Sequence, residues 1–372
     1  MSNASTGKTG PVGVGIIGAG VISKTYLENL TSFPDVQVLA VGDLVESAAQ
    51  ARAGEFGIDT HGGVDAVLGH PDVEIVVNLT IPVAHAEVAQ KAIEAGKHVW
   101  NEKPLTLDRD SGQALIDAAE KAGVRIGCAP DTFLGTGLQT TQKIIERGDI
   151  GTPLTALTLM QSPGPESWHP NPAFLFQEGA GPLFDIGPYY LTALVQMLGP
   201  VATAYAVSSK SKAQRTIGSG PKAGEVFDVT VPTHHGATLS FESGASSQDI
   251  FSFESSVGRI LFEINGTEGT IAVPDPNMFQ GEIKVRKAGS DDWETVADTK
   301  ELSSRGTGAL DMARAIREDR PHRATGALAL HVLDTMQSIA ESAERGAPVE
   351  VKSTTDRPAA IPDDWDPKAR TV

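Results

Sequence analysis

Two short segments carry residue types that can move a proton. The first is Asn101-Glu102-Lys103-Pro104, which directly follows an apolar run at 98–100. Pro104 disfavours a helical conformation at Lys103, and a lysine held at the carboxyl end of a buried strand can lose solvation and act as a general acid or base. The alternative is an ordinary solvent-exposed lysine in a turn. Lys103 is therefore the first candidate catalytic residue.

The second segment is the glycine-rich stretch at 179–190, which contains Asp185 and Tyr189. If Asp185 opens the helix that follows, the two residues lie four positions apart and share one helix face. Pro188 would then lie in the first turn, where its missing N–H does no harm. A carboxylate and a phenol on one face can handle a proton. The alternatives are that Asp185 caps the helix and that Tyr189 packs in a core.

A glycine-rich loop near the N-terminus is typical of dinucleotide binding. The G-x-G-x-x-G pattern fits residues 13–18 literally, and it fits residues 18–23 with Ser23 in place of the last glycine. The pattern works only where it follows a strand and opens a helix, because its N–H groups must face a pyrophosphate. Since the apolar run at 12–17 is the strand, Gly18 and Gly20 are the candidate phosphate-binding residues. An ordinary tight turn is the alternative.

Asp43 stands just beyond the next apolar run, at 37–41. An acid at this place in a dinucleotide-binding fold accepts hydrogen bonds from the adenine ribose. It favours NAD over NADP, because a carboxylate would repel the 2′-phosphate of NADP and no arginine follows it directly. A surface turn or a helix cap is the alternative role for Asp43.

The elements that must hold these residues change character along the chain. Up to about residue 130, short apolar runs alternate with stretches of helical period, which favours a doubly wound parallel sheet. Strands are predicted at 12–17, 37–41, 73–79, 98–100 and 124–129, and helices at 21–30, 46–56, 84–95 and 111–122. Beyond about residue 150 the runs alternate, which indicates an antiparallel sheet with one exposed face, and two helices follow near 309–319 and 327–345.

The predicted fold class is therefore α/β with two domains. We expect a Rossmann dinucleotide-binding domain at 11–130 and an α+β domain with a large, open, mostly antiparallel sheet at 131–355. An extended tail is expected at 356–372. The broad apolar face of the second sheet predicts a homodimer or homotetramer formed through that sheet.

Composition excludes several classes of partner. The 372 residues include 47 acidic and 30 basic side chains, for a net charge of −17, so neither a nucleic acid nor an anionic membrane surface is expected to bind. No apolar run is long enough to span a bilayer. The first ten residues lack the apolar core of a secretion signal, so a cytoplasmic location is expected, and residues 1–4 fit an expression scar.

Three further residues have predicted environments. The single cysteine, Cys128, lies in an apolar run and is expected to be an inert, buried thiol. His234 and His235 are expected to face solvent at the end of a strand. No spacing of His, Cys or acidic residues suggests a metal site.

Taken together, these segments resemble the glucose–fructose oxidoreductase / inositol dehydrogenase / MocA (Gfo/Idh/MocA) family. The resemblance covers about residues 12–350. It rests on the glycine loop at 16–23, Asp43, Thr80-Ile81-Pro82 with His85, the block at 95–104 and the block at 181–189. It implies NAD(P)-dependent oxidation or reduction of sugars or polyols, with Lys103 as the catalytic lysine and Asp185 as the acid of a family motif. The residues it implies for cofactor binding are Gly18, Gly20, Val21, Ile22, Asp43, Thr80, Pro82, His85, Glu102 and Lys103.

The chain departs from the family pattern at two places. Many members have a histidine four residues after the acid, whereas this chain has Tyr189, as in the glucose–fructose oxidoreductase and dihydrodiol dehydrogenase branches. The resemblance thus implies Tyr189 as proton donor or acceptor, aided by Lys103. Residues 130–133 read Pro-Asp-Thr-Phe where many members have an Asn-x-Arg-Phe-like segment. We therefore expect Trp168 and His169 to contact the substrate instead, with a rigid proline-rich loop as the alternative.

The expected activity is hydride transfer between a nicotinamide cofactor, NAD rather than NADP, and a hydroxyl or carbonyl of a carbohydrate or cyclic polyol. The reacting groups are expected near the junction of the two domains. Two alternatives stay open: a glycosidase that uses NAD transiently, and a cofactor-binding regulator without catalysis.

Overall fold

The computed structural model describes residues 8–372, so the predicted expression scar at residues 1–4 lies outside the described residues. The chain forms two compact units. Among the described residues, the first comprises 8–135, 301–330 and 358–372, and the second comprises 136–300 and 331–357. The chain thus returns twice to the first unit, whereas the sequence predicts consecutive domains at 11–130 and 131–355.

The first unit contains a parallel sheet. Its strands are β1 (Val12–Ile17), β2 (Val36–Gly42), β3 (Thr60–Gly62), β4 (Ile75–Asn78), β5 (His98–Asn101) and β6 (Ile126–Cys128). They lie in the order β3-β2-β1-β4-β5-β6, with helices α1 (Val21–Leu30), α2 (Glu46–Phe56), α3 (Val64–Leu68), α4 (His85–Glu94) and α5 (Arg109–Ala122) between them. The predicted Rossmann-like α/β fold is confirmed, and β3 and α3 are additions to it.

The glycines inside β1 have a packing role, which explains why the G-x-G-x-x-G match at residues 13–18 is not the phosphate-binding loop. A Cβ atom on Gly13 would lie 1.9 Å from the Asp72 carbonyl oxygen, so this position must stay small for the turn before β4 to lie against the strand. Gly13 therefore serves packing, and the strand ends before Gly18 as the choice of the second register requires.

The second unit contains a nine-stranded mixed sheet. Two helices, α6 (Thr136–Glu146) and α7 (Gly181–Leu198), belong to this unit. The strands are β7 (Pro153–Gln161), β8 (Val201–Ser209), β9 (Gln214–Thr216), β10 (Val226–Asp228), β11 (His234–Phe241), β12 (Ser246–Ser252), β13 (Arg259–Gly266), β14 (Gly269–Ala272), β15 (Glu282–Lys287), β16 (Glu294–Asp298) and β17 (Val349–Glu350). The sheet order is β16-β15-β14-β13-β7-β12-β11-β8-β17, and β9 and β10 form a separate two-stranded ribbon. The pairing is antiparallel except between β7 and β12, which confirms a mostly antiparallel sheet.

Helix α7 begins four residues before the expected start. Gly181 is its first residue and Pro182 occupies the first turn, where proline is favoured. Asp185 therefore lies in the second turn and is not the N-cap, which removes that alternative. Pro188 lies inside the helix instead of in its first turn. The spacing of four between Asp185 and Tyr189 is retained.

The last two helices are α8 (Thr307–Arg317) and α9 (Gly326–Arg345). Helix α8 packs against β4 and β6 and belongs to the first unit. The expected tail has no helix or strand, but it is anchored to the first unit. Asp35 accepts hydrogen bonds from the backbone N–H groups of Thr371 and Val372 and from the Nε of Arg314, at 2.7 Å for the last.

One predicted environment is wrong and another is confirmed. His235 is buried on β11 and does not face solvent, and burial lowers its pKa to about 4. Side chains of β11 alternate between the two faces of the sheet, and position 235 points toward the covered face. Two adjacent histidines look alike in the sequence, so the sequence does not show that only His235 is buried. Cys128 is a free, buried thiol whose pKa is raised by burial, as expected of an inert cysteine.

Candidate active site

The glycine loop has the shape of a phosphate cradle. Gly18 has a φ of +106°, and a Cβ there would lie 2.6 Å from the Leu79 carbonyl group, so only glycine fits. Gly20 is the N-cap residue of α1, and a Cβ on it would meet no protein atom within 4 Å. A ligand can therefore approach the backbone at Gly20, where the first N–H groups of the helix lack intrahelical partners.

Ser23 explains how the loop does without its third glycine. Its hydroxyl donates a 2.6 Å hydrogen bond to the Gly20 carbonyl, and its side chain is completely buried. A small hydroxyl thus fills the place of the missing glycine and closes the first turn of α1.

Asp43 joins the loops that follow β1 and β2. Its Oδ2 accepts a hydrogen bond from the Ala19 N–H at 2.7 Å, and its Oδ1 accepts one from the Val45 N–H at 2.8 Å. Because a carboxylate has about four acceptor positions, these two bonds leave room for a ligand hydroxyl on the half-buried side chain. Asp43 therefore braces the glycine loop, and its predicted role toward ribose stays a prediction.

Exposed apolar side chains surround this edge of the sheet. Val21 at the start of α1 is 94% exposed, and Leu44 after β2 is 92% exposed. Val45, Ile81 and Val83 are also exposed and follow β2 and β4. Large apolar side chains concentrated on the loops of one sheet edge indicate a ligand with an apolar, planar part. The glycine loop, Asp43 and this apolar rim therefore fit a dinucleotide.

Buried polar side chains fix the loops after β4 and β5. The Asn78 Nδ2 donates to the Asn101 Oδ1 at 2.6 Å, and the Thr80 hydroxyl donates to the Asn78 Oδ1 at 2.7 Å. Asn101 in turn donates to the Leu105 carbonyl. Sequence reasoning missed both asparagines, although a polar residue that ends an apolar strand at the ligand-binding edge is a usable signal.

His85 connects the same two loops through hydrogen bonds of its ring to their backbone. Its Nδ1 lies 2.7 Å from the Pro104 carbonyl oxygen and its Nε2 lies 3.0 Å from the Thr80 carbonyl oxygen. Burial lowers the pKa of this histidine although both carbonyl groups oppose the shift. Its ring nitrogens are therefore directed at the protein backbone, and its implied role in cofactor binding stays a prediction.

Glu102 is held by its neighbours. Its Oε1 accepts a 2.7 Å hydrogen bond from the Tyr26 hydroxyl, and its Oε2 accepts one from the Lys103 N–H at 2.9 Å. Burial, followed by the Glu102 charge, raises the pKa of Tyr26 far above its ordinary value. The carboxylate thereby fixes the backbone of half-buried Lys103 at the carboxyl edge of β5.

The segment at 130–133 has a structural role in the first unit. Asp131 is completely buried, and its Oδ2 accepts hydrogen bonds from the N–H groups of Gly306 and Gly308 at the start of α8. Burial raises its pKa although the opposing helix N–H groups and Arg305 lower it. Asp131 thus caps α8, a role that sequence reasoning missed.

The other predicted site residues belong to the second unit. Asp185 is half-buried on α7, and Tyr189, one turn later, is 8% exposed. Trp168 is exposed and His169 is half-buried in the loop between β7 and α7. The predicted set is thus divided: Lys103 and the cofactor residues lie in the first unit, and Asp185, Tyr189, Trp168 and His169 in the second.

Two kinds of site are absent from residues 8–372. Within that range no three His, Cys, Asp or Glu side chains are grouped so that they could hold a metal ion. Among the same residues, no helix has both the length and the apolar character needed to cross a membrane.

The chain is similar to dehydrogenases along most of its length. It is 27% identical over 291 residues to inositol 2-dehydrogenase 3 of Saccharopolyspora erythraea, covering 76% of this chain and 80% of that one. It is 24% identical to D-xylose 1-dehydrogenase (NADP(+)) 2 of Haloferax volcanii, covering 91% and 99%. The solved structure of levoglucosan dehydrogenase has the same fold, with a TM-score of 0.80 and 23% identity over 93% of this chain and 100% of that one.

The two parts of the sequence match two domains of one family. Residues 12–129 match an oxidoreductase family with an NAD-binding Rossmann fold, and residues 138–272 match the GFO/IDH/MocA C-terminal domain. These matches agree with the parallel sheet of the first unit and the mixed sheet of the second. The chain belongs to the Gfo/Idh/MocA family of oxidoreductases.

Proposed function

We propose that this oxidoreductase is an NAD-dependent dehydrogenase or reductase that acts on a CH–OH group of a carbohydrate or cyclic polyol. The observation that carries the proposal is the carboxyl edge of the first sheet, where the open backbone at Gly20, the carboxylate of Asp43 and an exposed apolar rim suit a dinucleotide. The sugar and inositol dehydrogenases among its relatives support the substrate class.

The choice of NAD over NADP depends on Asp43. Its carboxylate is held by two backbone N–H groups, so it cannot turn away to admit the 2′-phosphate of NADP. A fixed negative charge beside the ribose repels a 2′-phosphate and attracts the diol of NAD. The xylose dehydrogenase relative is named for NADP(+), so the preference of this chain is its own property to measure.

Proton handling is assigned to three side chains. When bound, the nicotinamide accepts or supplies the hydride. We assign the hydroxyl proton of the substrate to Tyr189 or Lys103, with Asp185 binding a neighbouring hydroxyl or orienting the lysine. Lys103 is suited to this because Glu102 fixes its backbone, and Asp185 and Tyr189 are suited because they lie one helix turn apart on α7.

A panel of sugars and inositols tests the activity directly. Purified protein is mixed with NAD⁺ or NADP⁺ and each compound, and the near-ultraviolet absorbance of the reduced cofactor is followed. Absorbance should rise with at least one compound, and faster with NAD⁺. Release of the aglycone from an aryl glycoside tested in the same assay, without net NADH, would support the glycosidase alternative, and cofactor binding without any turnover would support the regulator.

Association through the second sheet is proposed from its uncovered face. Leu261, Leu159, Ile250 and Val207 lie in one row across neighbouring strands, with Gly236 between the last two. A second copy would cover this row, giving a homodimer or homotetramer. Leu159→Lys should lower the mass measured by sedimentation equilibrium, whereas an unchanged mass would contradict the assignment. A cytoplasmic location stays a prediction.

A further inference from the structure

An exposed aromatic cluster lies in the loop between β7 and α7. Trp168 is 68% exposed and Phe174 is 55% exposed. His169 lies between them, with ring centroids 5.6 Å from each and edge-to-face angles of 66° and 70°. We call these three residues the aromatic platform. These contacts hold the three rings together, and both large side chains remain more than half exposed.

The loop that carries the aromatic platform is held on both sides of the platform by one buried arginine, Arg215 on β9. Its guanidinium donates to the Glu166 Oε1 at 2.5 Å and lies 2.9 Å from the Glu254 Oε1. Glu166 precedes the platform by two residues. A fixed position for Glu166 therefore fixes the start of the loop.

The other side of the loop is held by the same side chain. Arg215 lies over the ring of Phe176 at 5.0 Å, and Phe176 packs in turn against Phe227 and Phe253. Phe176 is completely buried and follows Phe174 by two residues. Arg215 therefore contacts the loop at Glu166, before the exposed residues, and at Phe176, after them.

A further segment supports the platform from the side. The connection between β9 and β10 lies so close to the loop that a Cβ on Gly220 would be 2.6 Å from the Pro170 Cβ. The Lys222 Nζ also donates to the Asn171 Oδ1 at 3.1 Å. Large exposed aromatic rings on a loop held this firmly are pre-organised for a ligand, because little side-chain or backbone entropy is lost on binding.

His169 supplies a directed polar group. Its Nδ1 accepts a hydrogen bond from the Asn171 N–H at 3.0 Å, so the neutral ring carries its proton on Nε2. An N–H donor beside an exposed indole can bind a ring that has C–H groups on one side and hydroxyls at its edge. That combination is the chemistry of a pyranose.

The charged side chains around the platform are balanced. Arg215 is paired with Glu166 and Glu254, and Lys222 contacts Asn171, which gives two positive and two negative charges. Because no excess of positive charge surrounds the platform, it favours a neutral sugar over a phosphorylated or carboxylated one.

We propose that the aromatic platform binds a neutral pyranose ring, with Trp168 stacking on its C–H face, His169 donating to a hydroxyl, and Arg215 acting as the positioning residue. This inference deepens the proposed carbohydrate activity and rests on it for the substrate class. It predicts that the platform binds an uncharged cyclic sugar in preference to sugar phosphates and acyclic polyols.

Binding of methyl β-D-glucopyranoside, measured by calorimetry without cofactor and by saturation-transfer NMR, tests the platform independently of turnover. Trp168→Ala should weaken binding about tenfold or more, which corresponds to about 1.4 kcal/mol, and Trp168→Phe should restore most of it. Trp293→Ala, which removes another exposed tryptophan of the same unit, should leave binding unchanged. In NMR the ring C–H protons should receive the strongest transfer.

Arg215→Lys tests whether Arg215 positions the platform. Lysine keeps the positive charge but lacks the planar guanidinium that contacts Glu166 and Glu254 together. Sugar binding should weaken about as much as in Trp168→Ala, with any cofactor reduction keeping its kcat and raising its KM. Equal sugar affinity of wild type and Trp168→Ala, no sugar binding by wild type, or a changed oligomeric state of Trp168→Ala would overturn the proposal. Sugar binding without any cofactor reduction would instead contradict the proposed activity and leave the platform intact.

Discussion

Asp43 offers the sharpest test of how the cofactor is chosen. In Asp43→Asn the side chain keeps its size but loses its charge and one of its two acceptor oxygens. The wild-type carboxylate accepts the Ala19 N–H at 2.7 Å and the Val45 N–H at 2.8 Å. The amide can accept only one of these, and its NH₂ group then faces the other N–H.

The size of the effect follows from those two bonds. A hydrogen bond to a charged group contributes about 1.5–3 kcal/mol, which corresponds to a factor of about 10–100 in affinity. Loosening of the glycine loop weakens NADH and NADPH alike. Loss of the ribose acceptor weakens NADH alone, and loss of the negative charge strengthens NADPH alone. The ratio of the two dissociation constants should therefore shift toward NADPH by about tenfold or more.

The assay is a fluorescence titration of each reduced cofactor. Glu46→Gln is the matched control, because Glu46 is an exposed acid three residues further on and its loss changes the net charge equally. The control should leave the ratio of dissociation constants unchanged. If Asp43→Asn weakens NADH and NADPH by the same factor, Asp43 only braces the loop and our account of cofactor choice is wrong.

Two buried carboxyl groups and the glycine loop give the remaining expectations. Burial raises the pKa of Asp249 to about 6 although the hydroxyls of Ser247 and Thr158 oppose the shift, so the folded state loses stability as the pH rises from about 4 through 6. Asp249→Asn should be more stable than wild type by about 3 kcal/mol at pH 8 and by little at pH 4; a difference in urea denaturation that does not depend on pH would contradict this. Asp35→Asn should cost about 3–5 kcal/mol in chemical denaturation, because it leaves the buried Arg314 without its anion, and a cost under about 1 kcal/mol would refute a structural role for that pair. Gly18→Ala should lower the melting temperature because its Cβ meets the Leu79 backbone. Gly20→Ala should leave the melting temperature unchanged and weaken NADH binding, because its Cβ meets no protein atom. Equal melting temperatures for the two variants would argue against this loop geometry.

The parallel sheet could be predicted because its strands are short, mostly apolar runs separated by stretches of helical period. β1, α1 and α2 have the predicted bounds. Helix α6 was missed because Thr136–Glu146 is rich in Thr and Gln and has a glycine at its second position. The start of α7 was placed late because an acid is a good cap signal, whereas here Gly181 and Pro182 begin the helix.

Long-range contacts could not be predicted from local pattern. Asp131 caps a helix some 175 positions away in the sequence, and Asp35 holds the tail 336 positions away. Arg215 looks like an ordinary surface residue in a polar strand, yet it is buried between two acids. Each of these roles depends on a tertiary neighbour that a single sequence does not reveal.

Turnover by wild type and by Lys103→Ala tests whether Lys103 is a catalytic residue. Both proteins are mixed with NAD⁺ and the sugar or polyol that wild type oxidises fastest, and NADH formation is followed by absorbance. Lys91→Ala is the control, since Lys91 is an exposed lysine of the same unit paired with Glu87. We expect that Lys103→Ala still binds NADH but forms none, while Lys91→Ala behaves as wild type. Undiminished NADH formation by Lys103→Ala, or no formation by wild type with any sugar or polyol, would contradict it.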